Sequence, residues 1–314
     1  MALTEALERP TTAYVRGAVL GLAAVSIWAG NIVVAGLGLR SSLTPWDISA
    51  IRFAVAGLVL LPYLARRGLA LDRLGWIGVA ALVLGGVPTV LLANAGLLFA
   101  PASHAGALFP GVMPLIVTLL AAAFLKEAFT PQKQAGFALI ATGVVAMVWG
   151  SGGTIGTEQN IGHLLFLGSA FAFACYTVAM RRARLDALHA AAISAVASML
   201  IYIPPYAVVA GAGVFEAPPG AIALQALVQG LLTAVISYVI YGLAIGILGA
   251  SSGAAFAASC PAMTALMGIP ILGEWPSPID WIAIAIISIG VYVISGGPLP
   301  RRNDRVALSQ SSSG

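Results

Sequence analysis

Residues 106–131 read GALFPGVMPLIVTLLAAAFLKEAFTP, and residues 253–278 read GAAFAASCPAMTALMGIPILGEWPSP. A shift of 147 residues places Gly106 on Gly253, Ala107 on Ala254, Pro114 on Pro261, Leu125 on Leu272, Glu127 on Glu274 and Pro131 on Pro278, and further on Gly143 on Gly290, without a gap. Each stretch is an apolar run of about 20 residues, enough to cross roughly 30 Å of hydrocarbon. Two unrelated apolar segments have no reason to share a carboxylate and two prolines at fixed spacing. The chain therefore contains an internal repeat.

The composition agrees with a body dissolved in lipid. Of 314 residues only 15 are Lys or Arg and 11 are Asp or Glu, so charged residues make up 8% while apolar ones make up 60%. A soluble domain carries about 25% charge, so a soluble enzyme, a disordered chain and a nucleic-acid binder are all excluded. The net charge of +4 and pI near 9.3 come from short basic clusters between apolar runs, a pattern that reports membrane orientation rather than a polyanion partner. Cys175 and Cys260 both lie inside apolar runs, where a thiol packs as a small residue; neither a disulfide nor a metal site is expected. The first apolar stretch, 17–39, is too long for a cleaved signal and reads as a retained helix. The end, 307–314, is polar and low in complexity.

Ten segments have the length and apolarity of spans: 17–39, 46–65, 74–100, 102–125, 134–150, 162–180, 188–211, 221–247, 250–273 and 280–297. With a cytoplasmic N-terminus, thirteen Lys and Arg fall in inside segments and only Arg40 falls outside, which predicts both termini in the cytoplasm. The glycine-rich stretch 150–157 separates spans five and six. The expected organisation is a first repeat at 17–150, an external linker at 151–161, a second repeat at 162–297, and cytoplasmic tails at 1–16 and 298–314. Five spans per repeat is an odd number, so the copies enter the membrane from opposite sides. The fold class is an all-α membrane protein of ten transmembrane helices arranged as two inverted five-helix repeats, the architecture that supports alternating access. Pro88, Pro114 and Pro261 fall within spans three, four and nine, and are candidate hinges or kinks because proline removes a backbone hydrogen bond.

The stretch Ile27-Trp28-Ala29-Gly30-Asn31 in span one, the pair Arg52-Phe53 in span two, and a small-residue fourth span ending in Leu125-Lys126-Glu127 resemble the drug/metabolite transporter superfamily in its ten-span EamA-like form. The resemblance covers residues 17–297 and looks closest to the YddG-type aromatic amino-acid exporters. It implies carriage of small metabolites, amino acids among them, across the cytoplasmic (inner) membrane. The second half departs from the first: it has no Arg-Phe counterpart, and it carries Phe173-Ala174-Cys175-Tyr176 where the first carries the Trp motif.

Polar groups inside spans are costly and face a partner or a cavity. Trp28, Asn31, Asn94, Tyr176, Tyr238 and Tyr241 are the candidate cavity residues, placing the cavity between spans one, three, six and eight; interhelical hydrogen bonding is the competing reading for each. Arg52 carries an insertion cost of roughly 2.5 to 3.5 kcal/mol at a helix centre. It is either an anion contact for a substrate carboxylate or a structural anchor toward the surface or Asp47. The other tryptophans fit an interfacial belt, and Gly17/Gly21, Gly242/Gly246 and Gly249/Gly253 fit close helix packing.

Catalysis is not expected. Gly249-Ala250-Ser251-Ser252-Gly253 matches a serine-nucleophile pattern, but a small-residue turn explains it. No Asp or Glu lies at mid-span and no phosphate-gripping loop is present, so neither a central carboxylate nor ATP drives transport, and no cofactor is expected. The expected partners are a small-molecule substrate and membrane lipid. A facilitator of amino-acid export is the first reading, with a histidine proton route through His104 or His163 left open. The alternatives are a proton-coupled exporter of drugs or lipophilic cations, and a non-transporting membrane scaffold.

Overall fold

The computed structural model describes residues 2–150, 158–211 and 213–297, with side chains from residue 12 onward except at 250–252 and 254. The stretch 151–157, most of the expected linker, and the tail 298–314 lie outside the described residues. The described chain is helical: α1 (Ala2–Ser41), α2 (Pro45–Arg67), α3 (Leu71–Gly96), α4 (Ala102–Leu125), α5 (Pro131–Gly150), α6 (Glu158–Arg182), α7 (Ala187–Ala210), α8 (Pro219–Leu248), α9 (Ala250–Leu272) and α10 (Pro278–Ile294). Nine have the length and apolarity of spans, and α10, at 17 residues, sits at the short end of the spanning range. Most helix ends fall within a few residues of the expected spans, and the two largest differences lie at the N-terminus and ahead of α6. The first helix extends back to Ala2, where a tail was expected, and α6 begins at Glu158, inside the expected linker.

Local chemistry sets the helix ends. Thr44 and Asp47 form a reciprocal capping box ahead of α2, and Ser277 and Asp280 repeat it ahead of α10, each with a proline at the start of the helix. Lys126 and its repeat mate Gly273 both end their helices in the left-handed conformation, and the next amide in each, Glu127 or Glu274, bonds back to Ala121 or Gly268, themselves mates at the same shift.

The packing repeats the duplication. Helix α1 lies against α8 and α9, and its counterpart α6 lies against α3 and α4; α2 packs on α7, α4 on α9 and α5 on α10. Exchanging α1–α5 for α6–α10 maps this arrangement onto itself. The α5–α10 seam shows the two-fold relation atom by atom. A Cβ on Gly143 would stand 3.0 Å from the Ala283 carbonyl oxygen and 2.6 Å from Ile287, while one on Gly290 would stand 3.1 Å from the Gly136 carbonyl oxygen and 2.7 Å from Ile140. Gly136 and Ala283, Ile140 and Ile287, and Gly143 and Gly290 are all mates at 147. Lipid provides no hydrophobic force between helices, so close approach through small residues holds them together.

Gly17 and Gly21 serve the same end in α1, touching Leu248 and Phe256. Gly242 and Gly246 do not: a Cβ on either would meet nothing within 4 Å, because that face of α8 points away from the protein. Ile77, Val208 and Val209 are almost fully exposed on the outer surface, as are Trp76, Trp149 and Trp275 at helix ends, the lipid face and its aromatic belt.

Two ion pairs tie the repeats together at opposite ends of the bundle. At the end bearing Arg66, Arg67 and Arg181, called here the basic end, Glu127 of the first repeat accepts from Arg181 of the second and from Lys133. At the other end Glu274 of the second repeat pairs with Arg40 of the first at 2.8 Å and also accepts from the Ala102 amide. Gly143→Leu and Gly290→Leu are expected to destabilise the protein by similar amounts, about 1–3 kcal/mol each, read as matched drops in the thermal unfolding midpoint of the detergent-solubilised protein.

Candidate functional site

Helix α3 is broken at Gly85 and Gly86 because the next turn cannot close. Pro88 has no amide hydrogen to offer the Leu84 carbonyl, and the Thr89 hydroxyl donates to that carbonyl instead, at 2.9 Å. The two glycines are required by proximity: a Cβ on Gly85 would run into Tyr176 of α6, and one on Gly86 into Ser198 of α7. Opposite, α8 widens into π-helical turns over Ala226–Ile236, a form associated with functional sites.

Between these irregular stretches lies a cavity of about 400 Å³, counting the part open to solvent. Arg52 and Phe53 of α2, Gly85 and Gly86 of α3, Phe173 and Tyr176 of α6, Ser194 and Ala195 of α7 and Tyr238 of α8 line it. Both repeats contribute. Arg52 and Ser194 each stand seven residues beyond the first residue of their helices, Pro45 and Ala187, so two-fold-related positions meet here with unequal chemistry. The Arg52 Nη1 donates to the Gln229 Oε1 at 3.1 Å and to the Asn31 Oδ1 at 3.4 Å, and the Gln229 amide donates to the Asn31 carbonyl at 3.1 Å. Among the described residues no carboxylate lies within ion-pair distance of Arg52. Asp47 is engaged elsewhere, accepting from Thr44 and from the Tyr206 hydroxyl.

The candidates divide accordingly. Arg52, Tyr176 and Tyr238 line the cavity, and Asn31 stands behind Arg52. Asn94 is buried and donates to Ser49 at 3.1 Å; the Tyr241 hydroxyl donates to the Gly253 carbonyl at 3.0 Å; the Trp28 indole donates to Ser237 at 2.9 Å with its ring 4.7 Å from that of Tyr241. These three hold helices together away from the cavity. The cavity is walled by α2 and α7 where α1 was expected, because α1 spends its glycines and its indole on α8 and α9. Pro88 and Pro114 each open the second segment of a broken helix, the break in α4 falling at 109–112, whereas Pro261 sits within a continuous α9. The side chain of Ser251 lies outside the described residues.

A second polar cluster sits near the end opposite the basic one. His104 Nδ1 lies 2.9 Å from His163 Nε2, and His104 Nε2 lies 3.1 Å from the Asp280 Oδ1, with the Gln159 amide 3.3 Å from His104. It joins α4, α6 and α10 across the repeats and does not reach the cavity.

The sequence matches the EamA-like transporter family twice, at residues 15–149 and 160–296. The chain belongs to the EamA-like transporter family. It is a multi-pass membrane protein built for a small-molecule cargo in a lipid environment. A solved crystal structure is 21% identical with a TM-score of 0.58, covering 97% of this chain and 99% of that one; the likeness concerns the fold. No curated protein matches the sequence.

Gln229, Ser194 and the Gly85-Gly86 break were not singled out from the sequence of this EamA-like transporter, and Phe53 and Phe173 entered there only as motif residues, not as cavity lining. Two amides, Gln225 and Gln229, in the apolar run of α8 and a Gly-Gly two residues before Pro88 were the available signals. With Cys175 and Cys260 replaced by alanine, Ser194→Cys and Ala195→Cys are expected to react with a water-soluble methanethiosulfonate reagent while Asn94→Cys and Tyr241→Cys resist it, as read by intact-mass shift.

Proposed function

We propose that this protein is a secondary transporter that exports small amphipathic metabolites, amino acids including aromatic ones, by alternating access across the cytoplasmic membrane, with both termini in the cytoplasm. The observation that carries the reading is the cavity at the junction of the two repeats, where Arg52 and Ser194 meet from two-fold-related positions. Rocking of near-equivalent halves about such a site exposes it to each side in turn. Phe53, Phe173, Tyr176 and Tyr238 provide aromatic walls for a side chain, with few polar groups to orient it. The basic end is the cytoplasmic one by the charge rule, with the repeats at 17–150 and 162–297.

Facilitated movement down the substrate gradient is the mechanism. No carboxylate lines the cavity, and the His104–His163–Asp280 cluster stands outside it. A proton-coupled exporter of lipophilic cations fits less well, since the one charged group on the cavity wall is a cation, and a non-transporting scaffold has no use for the cavity. Liposomes holding only the purified protein are expected to show counterflow of L-phenylalanine with no proton gradient, unchanged by a protonophore. Counterflow that appears only under an imposed gradient would overturn the facilitator mechanism.

A further inference from the structure

We infer that the cavity is a receptor for a single carboxylate, taken on the free edge of the Arg52 guanidinium. The inference rests on the transport reading for its role, and on the following geometry for its chemistry. Nη1 is held by the side-chain oxygens of Gln229 and Asn31, both neutral, which fix the plane of the group without cancelling its charge. Nε and Nη2 have no partner among the described residues, and neither is among the buried polar atoms left unsatisfied, so they face the cavity that Arg52 lines.

That edge is a two-pronged donor whose spacing matches the two oxygens of a carboxylate. A guanidinium cannot shed its proton to escape a poor environment, and one inside a span without a counter-charge is costly. Asp47, five residues before Arg52 in the first turn of the same helix, is committed to Thr44 and Tyr206, and Glu127 and Glu274 are committed to basic partners at the two ends of the bundle. The missing negative charge is therefore left for the cargo to bring. One cation on the wall matches one negative charge, which favours a monocarboxylate over a phosphate dianion. An amino group on the same cargo would meet the hydroxyls of Ser194 and Tyr238 and the faces of Phe173 and Tyr176.

The test uses the full chain, purified in detergent and in liposomes, with four probes sharing one ring: L-phenylalanine, 3-phenylpropionate, phenylalanine amide and phenethylamine. Binding of the two acids is expected to be at least about tenfold tighter than that of the amide and the amine. Arg52→Gln is expected to remove that preference. Gln229→Glu, close in shape to the native side chain, supplies an internal carboxylate to Arg52 and is expected to weaken the acids by about tenfold while leaving the fold, read by thermal unfolding, intact. It keeps the inference testable if Arg52→Gln fails to fold. Equal binding of acid and amide, unchanged acid affinity in Gln229→Glu, or no carboxylate-dependent binding among the four would each overturn the inference. Counterflow separates it from the transport reading. If L-phenylalanine and phenethylamine are carried alike, the carboxylate site falls and transport stands; if the acids bind through Arg52 yet none is carried, transport falls and the site stands.

Discussion

A backbone group in hydrocarbon has no water to turn to, so each break in a spanning helix has to be repaired by the chain itself. This constraint locates the cavity. Pro88 frees the Leu84 carbonyl, and the break is tolerated because Thr89 answers it and because Gly85 and Gly86 let α3 press against α6 and α7. Across from it, α8 takes wider turns that place Gln229 beside Arg52. The irregular backbone and the cavity occur together for one reason: departures from a regular helix survive only where protein or a polar space receives them.

The duplication supplies the frame in which those departures sit. Small residues let α5 and α10 approach along a seam that reads the same from either side, and Glu127 and Glu274 close opposite ends of the bundle with arginines from the other repeat. The symmetry then fails where it matters. Helix α3 is broken and its counterpart α8 is widened; α4 is broken at 109–112 and its counterpart α9 runs continuously through Pro261. The cavity lies among α2, α3, α6, α7 and α8 where the halves are unequal, and the two-fold-related residues on its wall, an arginine and a serine, make it chemically one-sided.

The polar groups of the bundle fall into two kinds. Asn94 and Trp28 donate to the hydroxyls of Ser49 and Ser237, Tyr241 donates to backbone, and His104 joins His163 and Asp280; these contacts hold helices. Arg52 is held by neutral oxygens and has no counter-charge among the described residues. A charge left uncompensated beside a cavity is the feature that separates a binding surface from a packing surface.

By itself the sequence determined what depends on local composition and on counting: ten apolar runs of spanning length, the 147-residue repeat with its odd number of spans, and the glycine, proline and capping residues that end helices such as α2 and α10. It also marked Arg52, Tyr176 and Tyr238 as polar groups that need a reason to be in a span. Tertiary structure decided which of the marked groups meet. In a water-soluble helix the polar face announces the outside, but here lipid and core are both apolar, so nothing along α1 or α3 says that Trp28 and Asn94 turn toward a neighbouring helix while Gly85 and Gly86 open onto the cavity. The direction a side chain faces depends on where α2 and α7 lie, and their position follows from glycine contacts and broken turns formed between residues far apart in the chain.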